Sequence, residues 1–129
     1  MAYVFARVDE LEGTPLVGDH HCVALVQHYA KAPQTSTWIQ GEPITGAPFI
    51  EKGTVIATFV DGKYPNKKSG NHAALYMSHD GVGIKVMDQW KGDPSKACVS
   101  SRTIRFKNSK NGQLIEPLSN NAFAYYIVK

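Results

Sequence analysis

The sequence predicts an α+β domain in which one early amphipathic helix packs on an antiparallel sheet. Three observations lead there. Cys22, Leu25, Val26 and Tyr29 follow the i, i+3, i+4, i+7 spacing of a helix buried along one face. From Thr54 onward the pattern changes to short segments rich in β-branched residues. Between two of these segments stands Asp80-Gly81, the signature of a tight hairpin. A helix first and a meander of strands after it is an α+β order.

The lead-in from Tyr3 to Val17 contains a helical turn at Val8–Glu12, stopped by Gly13 and Pro15. Asp19 is a good N-cap residue for the helix that follows, because its side chain can accept from the first free backbone N–H groups. That helix ends near Lys31-Ala32, since Pro33 disfavours helical backbone at its predecessor. Residues 34–48 hold Gly41, Pro43, Gly46 and Pro48 and read as a long irregular loop. Trp38 is its one large apolar group, and its ring can either anchor the loop on the core or meet a ligand. Residues 54–60 form a strand, 61–70 a polar and basic connection, 72–77 a second strand and 83–88 its hairpin partner. Gly92-Asp93-Pro94 breaks the pattern, and two later strands are expected at 102–106 and 122–128.

Bulk properties bound the function. At 129 residues the chain is one domain, 1–129, able to bury a core without disulfide staples. Its composition, 43% hydrophobic and 19% charged, argues against disorder, and no apolar run is long enough to cross a membrane. Residues 1–7 lack a basic leader and a long apolar core, so no signal peptide is expected and synthesis is placed in the cytoplasm. The net charge of +3 is spread among acids, without the basic stripe and interleaved aromatics that nucleic acid requires.

The chemistry gathers at Cys22, His72 and Asp88. Cys22 opens a helix, where the positive end of the dipole favours a thiolate. A buried structural cysteine is the competing reading of that stretch alone. A turn centred on Asp80-Gly81 sets residues near 72 and 88 opposite each other, so the carboxylate can fix the imidazole tautomer. Nucleophile, general base and orienting acid are then all supplied, with the Cys22 backbone N–H as an oxyanion donor. The remaining histidines read as loop, turn or exposed helix residues: His20 and His21 before the helix, His28 on it and His79 in the hairpin. A zinc site from His20, Cys22 and His72 lacks paired-ligand spacing. Cys98, between Ala97 and Val99, reads as a half-buried structural thiol.

The order cysteine-opened helix, strand, Gly-x-His and a polar residue on the next strand resembles the papain-like cell-wall hydrolases of the NlpC-type and CHAP families. The pieces that carry the resemblance are Gly18 to Val26, Lys52 to Phe59, Gly70 to Leu75 and Val86 to Trp90, within residues 18–90. The chain departs from the NlpC pattern in having His21 before the cysteine and Val23-Ala24 after it. Its third role falls to Asp88, where CHAP domains often carry Glu or Asn. It is also similar to small type VI secretion amidase effectors. The resemblance implies a papain-like fold and cleavage of an amide in the peptide stem of peptidoglycan by Cys22, His72 and Asp88, with no metal or organic cofactor. His21, Trp38, Asn71, Gln89 and Trp90 are the candidate substrate contacts. It further implies a monomer delivered to the periplasm of target bacteria and matched by an immunity protein. A non-catalytic binding module on the same fold, or a cysteine acyltransferase or deamidase acting on protein, are the alternatives.

Overall fold

In the computed structural model, which describes residues 2–65 and 67–129, the chain forms one α-helix and a six-stranded antiparallel sheet among the described residues. Met1, and Asn66 inside the polar connection, lie outside the described residues. Helix α1 spans Cys22–Ala30, and the strands are β1 (Gln40–Pro43), β2 (Val55–Thr58), β3 (Ala73–His79), β4 (Gly83–Asp88), β5 (Ser100–Arg105) and β6 (Tyr125–Val128). Across the sheet the order is β1-β6-β2-β3-β4-β5.

The expected helical stripe holds at its centre, with Leu25, Val26 and Ala30 buried, while Cys22 and Tyr29 stay half-buried at the two ends. The N-cap differs from expectation. His21, in extended backbone, caps α1 without a side-chain bond. Asp19 Oδ1 instead accepts from the His21 N–H at 3.1 Å. The cause is a tight turn: Gly18 at φ +59° and His20 at φ +74° coil the chain, leaving Asp19 ahead of the helix rather than at its end. The helix also stops a residue early, because Lys31 turns left-handed at φ +61° and returns its N–H to the Val26 carbonyl.

Strands β2 and β6 are shorter than the sequence suggests, β3 runs on to His79, β4 matches the expected 83–88, and β5 begins two residues and ends one residue early. Asp61 and Gly62, both at positive φ, bend the chain after β2. Residues 122–124 form a 3₁₀ turn ahead of β6, capped by Asn121 Oδ1 accepting from the Phe123 N–H at 3.1 Å. Strand β1 was hidden by its own breakers, Gly41 and Pro43. It lies on the sheet edge, where proline is tolerated, and a Cβ at Gly41 would stand 2.7 Å from the Ile127 carbonyl oxygen of β6. The hairpin closes around residues 80–82, with Asp80 Oδ1 accepting from the Val82 and Gly83 N–H groups at 2.8 and 3.1 Å.

Strand periodicity sends alternate residues to two cores. Val55, Ala57, Ala73, Leu75 and Met87 meet Leu25 and Val26 of the helix, together with Trp38. Ile56, Ala74, Tyr76, Ile84 and Val86 meet Ile44, Tyr125 and Ile127 under the turns of the opposite face. The central strands β2 and β3 are thus apolar on both sides, which explains the near-continuous runs Val55–Thr58 and Ala73–Tyr76. The helix packs chiefly on β3, bringing its N-terminus to the end of the sheet where β3 starts and β4 stops.

Gly53 anchors the N-terminal segment to this sheet. Its N–H donates to the Tyr76 carbonyl at 2.7 Å, and its own carbonyl accepts from the Phe5 N–H at 2.9 Å. At φ +94°, a Cβ there would lie 1.9 Å from the Phe5 oxygen. Gly53→Ala is therefore expected to cost about 2 kcal/mol or more. Urea denaturation should record a lower midpoint at unchanged slope; an unaltered midpoint contradicts this account.

Candidate active site

Three chain segments meet at that end of the sheet: the start of α1, the residue before β3 and the last residue of β4. Each is held by the local fold. The turn before α1 is tied down by Gln89, which is fully buried. Gln89 Oε1 accepts from the Val17 N–H at 3.0 Å, and its Nε2 donates to the carbonyls of Val17 and His21 at 3.1 and 2.9 Å. His72 is pinned through its backbone. Its N–H donates to Thr58 Oγ1 at 3.1 Å, and its carbonyl accepts from the Thr58 N–H at 3.0 Å.

The pairing of His72 with Asp88 comes about differently from the simple hairpin expectation. A bulge between Tyr76 and Ser78 shifts the register, so that Leu75 faces Met87. Continuing this register sets Asp88 opposite Ala74 and makes His72 its diagonal neighbour, still within side-chain reach. Trp90 then falls opposite His72, and their rings meet edge-on at 6.2 Å between centroids. His72 Nε2 and Asp88 Oδ2 are 2.8 Å apart. With Nε2 engaged, Nδ1 is left for the thiol.

Asp88 is fully buried and surrounded by cations. Arg102 Nε donates to Oδ2 at 2.7 Å, and Lys96 Nζ stands 2.8 Å from Oδ1 as an ion pair poorly directed for a hydrogen bond. Lys96, itself buried, also donates to Ser100 Oγ and the Ser100 carbonyl at 2.6 and 3.1 Å. Both cations lie over the Trp90 ring, Lys96 Nζ at 4.6 Å and Arg102 Cζ at 4.9 Å from its centroid. Burial works against the carboxylate, but the His72 hydrogen bond and the surrounding positive charge outweigh it and hold its pKa at about 2.

The histidine responds in kind. Burial alone lowers the imidazole pKa, yet hydrogen bonds to Asp88 and Cys22 and their negative charge carry it to about 9. For Cys22, burial raises the thiol, and the hydrogen bond and charge of His72, with help from the Ala73 backbone and Tyr64, bring it below its ordinary value. The Tyr64 hydroxyl lies 3.8 Å from Cys22 Sγ and accepts from Asn71 Nδ2 at 3.2 Å. Burial foremost, and then the neighbouring sulfur, push the Tyr64 pKa up, so its proton stays in place. This is a charge-paired thiol and imidazole, able to attack an electrophilic carbon and to move a proton.

The site opens into a cleft of about 930 Å³ lined by Cys22, His72, Tyr64 and Arg102 among others. Of the expected substrate contacts, His21, Asn71 and Trp90 line it. Trp38 and Gln89 do not, and those two expectations are corrected. Trp38 is buried under Tyr64, ring centroids 5.0 Å apart, with its indole N–H donating to the Pro33 carbonyl at 2.9 Å. Gln89 spends its amide on the turn before the helix. Sequence reasoning missed Tyr64, Lys96 and Arg102. Arg102 had left a trace, a cation two residues before the buried Ile104 on one strand; Lys96 and Tyr64, in irregular segments, had left none. Cys98 is half-buried, away from the cleft lining and bridged through its backbone to Pro15. Among the described residues, no three His, Cys, Asp or Glu side chains gather closely enough to hold a metal ion.

Known proteins share this arrangement of chain. A solved structure titled Type 6 secretion amidase effector 2 (Tae2) superposes with a TM-score of 0.90 at 51% sequence identity, over 98% of this chain and 94% of that one. A Type VI secretion amidase effector 2 protein of Salmonella typhi is 52% identical over 134 aligned residues, covering 100% of both chains. Domesticated amidase effector 2 of Ixodes scapularis is 35% identical over 97 residues, 72% of this chain and 63% of that protein. The family described as Domesticated amidase effector 2 matches residues 3–128, and the chain belongs to that family.

Proposed function

We propose that the protein is a cysteine amidase, papain-like in its site, that cleaves an amide bond in the peptide stem of peptidoglycan. The observation that carries the reading is the placement of Cys22 and His72 on one cleft, with Nε2 of the histidine held by the buried Asp88 behind it. Family membership supports the amidase part. In this reading the Cys22 thiolate attacks the scissile carbonyl, and the His72 imidazolium protonates the leaving amine. Water, deprotonated by His72, then hydrolyses the acyl-enzyme. Asp88 acts through the histidine by holding its ring and its charge. The Cys22 backbone N–H, in the first turn and without an intrahelical acceptor, donates to the oxyanion. One chain supplies all these groups, so the enzyme works as a monomer and needs neither metal nor organic cofactor.

The similarity to the Type VI secretion amidase effector 2 protein of Salmonella typhi and to the solved Tae2 structure supports a role as a type VI secretion effector. We place its target in the periplasm of recipient bacteria and expect a producer-encoded immunity protein that covers the cleft.

Purified sacculi provide the test of chemistry. The wild type is expected to release muropeptide fragments, and Cys22→Ala to reduce release on the order of 10⁴-fold. Release by both proteins, or by neither, defeats the proposal. The pH dependence carries a sign that can be worked out. Below the lowered thiol pKa the nucleophile is protonated, and above about 9 the imidazolium needed by the leaving amine is lost. The rate should therefore fall on the alkaline side near pH 9. Asp88→Asn removes the anion that raises His72 and leaves Lys96 and Arg102 beside the ring, so this limb should move down by at least about one pH unit. A limb that stays in place separates Asp88 from the histidine's titration. For delivery, expression with an added periplasmic leader should lyse Gram-negative hosts lacking immunity, and cytoplasmic expression should not. Equal harmlessness in both compartments removes the effector role.

A further inference from the structure

We infer that Arg102 is a carboxylate-binding residue of the cleft, its guanidinium fixed by Asp88 and Trp90 so that its remaining N–H donors receive an acid group carried beside the scissile amide. The identity of that ligand rests on the amidase reading; the geometry does not. Arg102 Nε and His72 Nε2 share one oxygen, Asp88 Oδ2, at 2.7 and 2.8 Å, which makes the guanidinium a neighbour of the proton-transfer group. A cation needed only to neutralise Asp88 would turn its fork onto both carboxylate oxygens. Oδ1 is faced instead by Lys96. Among the described residues only Nε of the five guanidinium donors is engaged, and the Arg102 side chain, 26% exposed, lines the cleft. Contact with Trp90 removes much of the freedom that an arginine otherwise loses on binding.

The cleft as a whole has the matching charge. Its described lining includes Lys67, Lys68, Lys91 and Arg102 and no aspartate or glutamate. A neutral peptide gains nothing from that field, whereas an amide flanked by free carboxylates does. The peptide stem of peptidoglycan carries such carboxylates. Arg102 is the member of the set held in one orientation, so it is the group that can read where the carboxylate sits. The lysines are exposed and supply attraction without register.

The test compares two ligands on the same protein. Cys22→Ala chain, which leaves the ligand intact, is titrated calorimetrically with a stem tetrapeptide bearing free acids and with its carboxamide counterpart. The acid form is expected to bind at least about tenfold more tightly. Adding Arg102→Gln should bring the acid form down to the carboxamide level, and Arg102→Lys, which keeps charge but not the fork, should restore only part of the preference. Equal affinity for the two ligands, or no measurable binding of the acid form, overturns the inference without any change to the fold. A folded Arg102→Gln protein that keeps the full preference, or a preference lost only in Lys67→Gln/Lys68→Gln, overturns the assignment to Arg102. An intact preference in Cys22→Ala, combined with wild type that releases nothing from sacculi, defeats the amidase reading and leaves the carboxylate site standing.

Discussion

The site depends on a single buried carboxylate. Asp88 has no solvent exposure, and an ion so placed costs several kcal/mol unless its neighbours compensate. Lys96 and Arg102 give it two positive partners, and His72 adds a third when protonated. The cluster is therefore electropositive before Cys22 is counted. A thiolate is the charge that relieves it, which is why an imidazole surrounded by cations can still carry a proton and why the thiol is shifted down despite burial. The same charges bear on stability. His72, raised from 6.5 to about 9, contributes stability that is complete below pH 6.5 and is lost as pH climbs through 9. Asp88, lowered from 3.8 to about 2, contributes stability that is present above 3.8 and is lost as pH falls towards 2. Between those limits both contributions act together.

How the chain brings these groups together follows from where its elements end. Helix α1 lies on β3 with its N-terminus at the strand's beginning, and β4 runs back to finish at the same level. The fold makes the junction rigid with few contacts. Thr58 fixes His72 from the neighbouring strand, and Gln89, one residue beyond Asp88, fixes the turn that launches the helix. Because residues 88 and 89 point to different places, one buried pair serves two purposes: Asp88 holds the His72 ring and Gln89 holds the segment that leads into Cys22. Gly18 and His20, both at positive φ, supply the sharp bend between them. A histidine in that backbone region is uncommon and marks a turn over-determined by its surroundings.

The α+β order, the helix that opens with Cys22 and the hairpin were legible because each rests on local periodicity or turn chemistry. The relation of His72 to Asp88 was legible only in outline. The hairpin pairs His79 with Ile84 rather than with Val82, and the bulge at Met77, which nothing in Tyr76-Met77-Ser78 announces, returns only one residue of that offset, so the register leads to Ala74 opposite Asp88. Side-chain reach across a diagonal pair absorbed the error. Edge strand β1 was invisible because Gly41 and Pro43 normally interrupt strands, and only the position at the sheet edge makes them acceptable. Trp38 and Gln89 illustrate the other limit. A Trp in a long polar loop and a Gln beside a buried acid look equally suited to a ligand or to the fold. Tertiary contacts alone, with Pro33 and Tyr64 in one case and Val17 and His21 in the other, decide for the fold. Lys96 was out of reach for the same reason: an exposed-looking residue in a Gly-Asp-Pro turn becomes a buried ion partner when that turn folds back on the end of β4.

The division between buried and exposed groups in the cleft has a physical logic. The charged groups around the carboxylate are inside: Asp88 is sealed, and Lys96 and His72 are nearly so. There the effective dielectric is low and each contact shifts a pKa by more than it would in water. Cys22 is half-buried where it lines the cleft, with Tyr64 supplying a hydroxyl that stays protonated beside it. Outside these, Lys67, Lys68 and Lys91 stand in solvent, where a single charge contributes little to affinity or stability. Arg102 bridges the two zones. Its Nε belongs to the sealed network and its exposed part to the cleft. In the proposed amidase, a site built this way keeps its reacting groups in register before substrate arrives and leaves recognition to side chains at the rim.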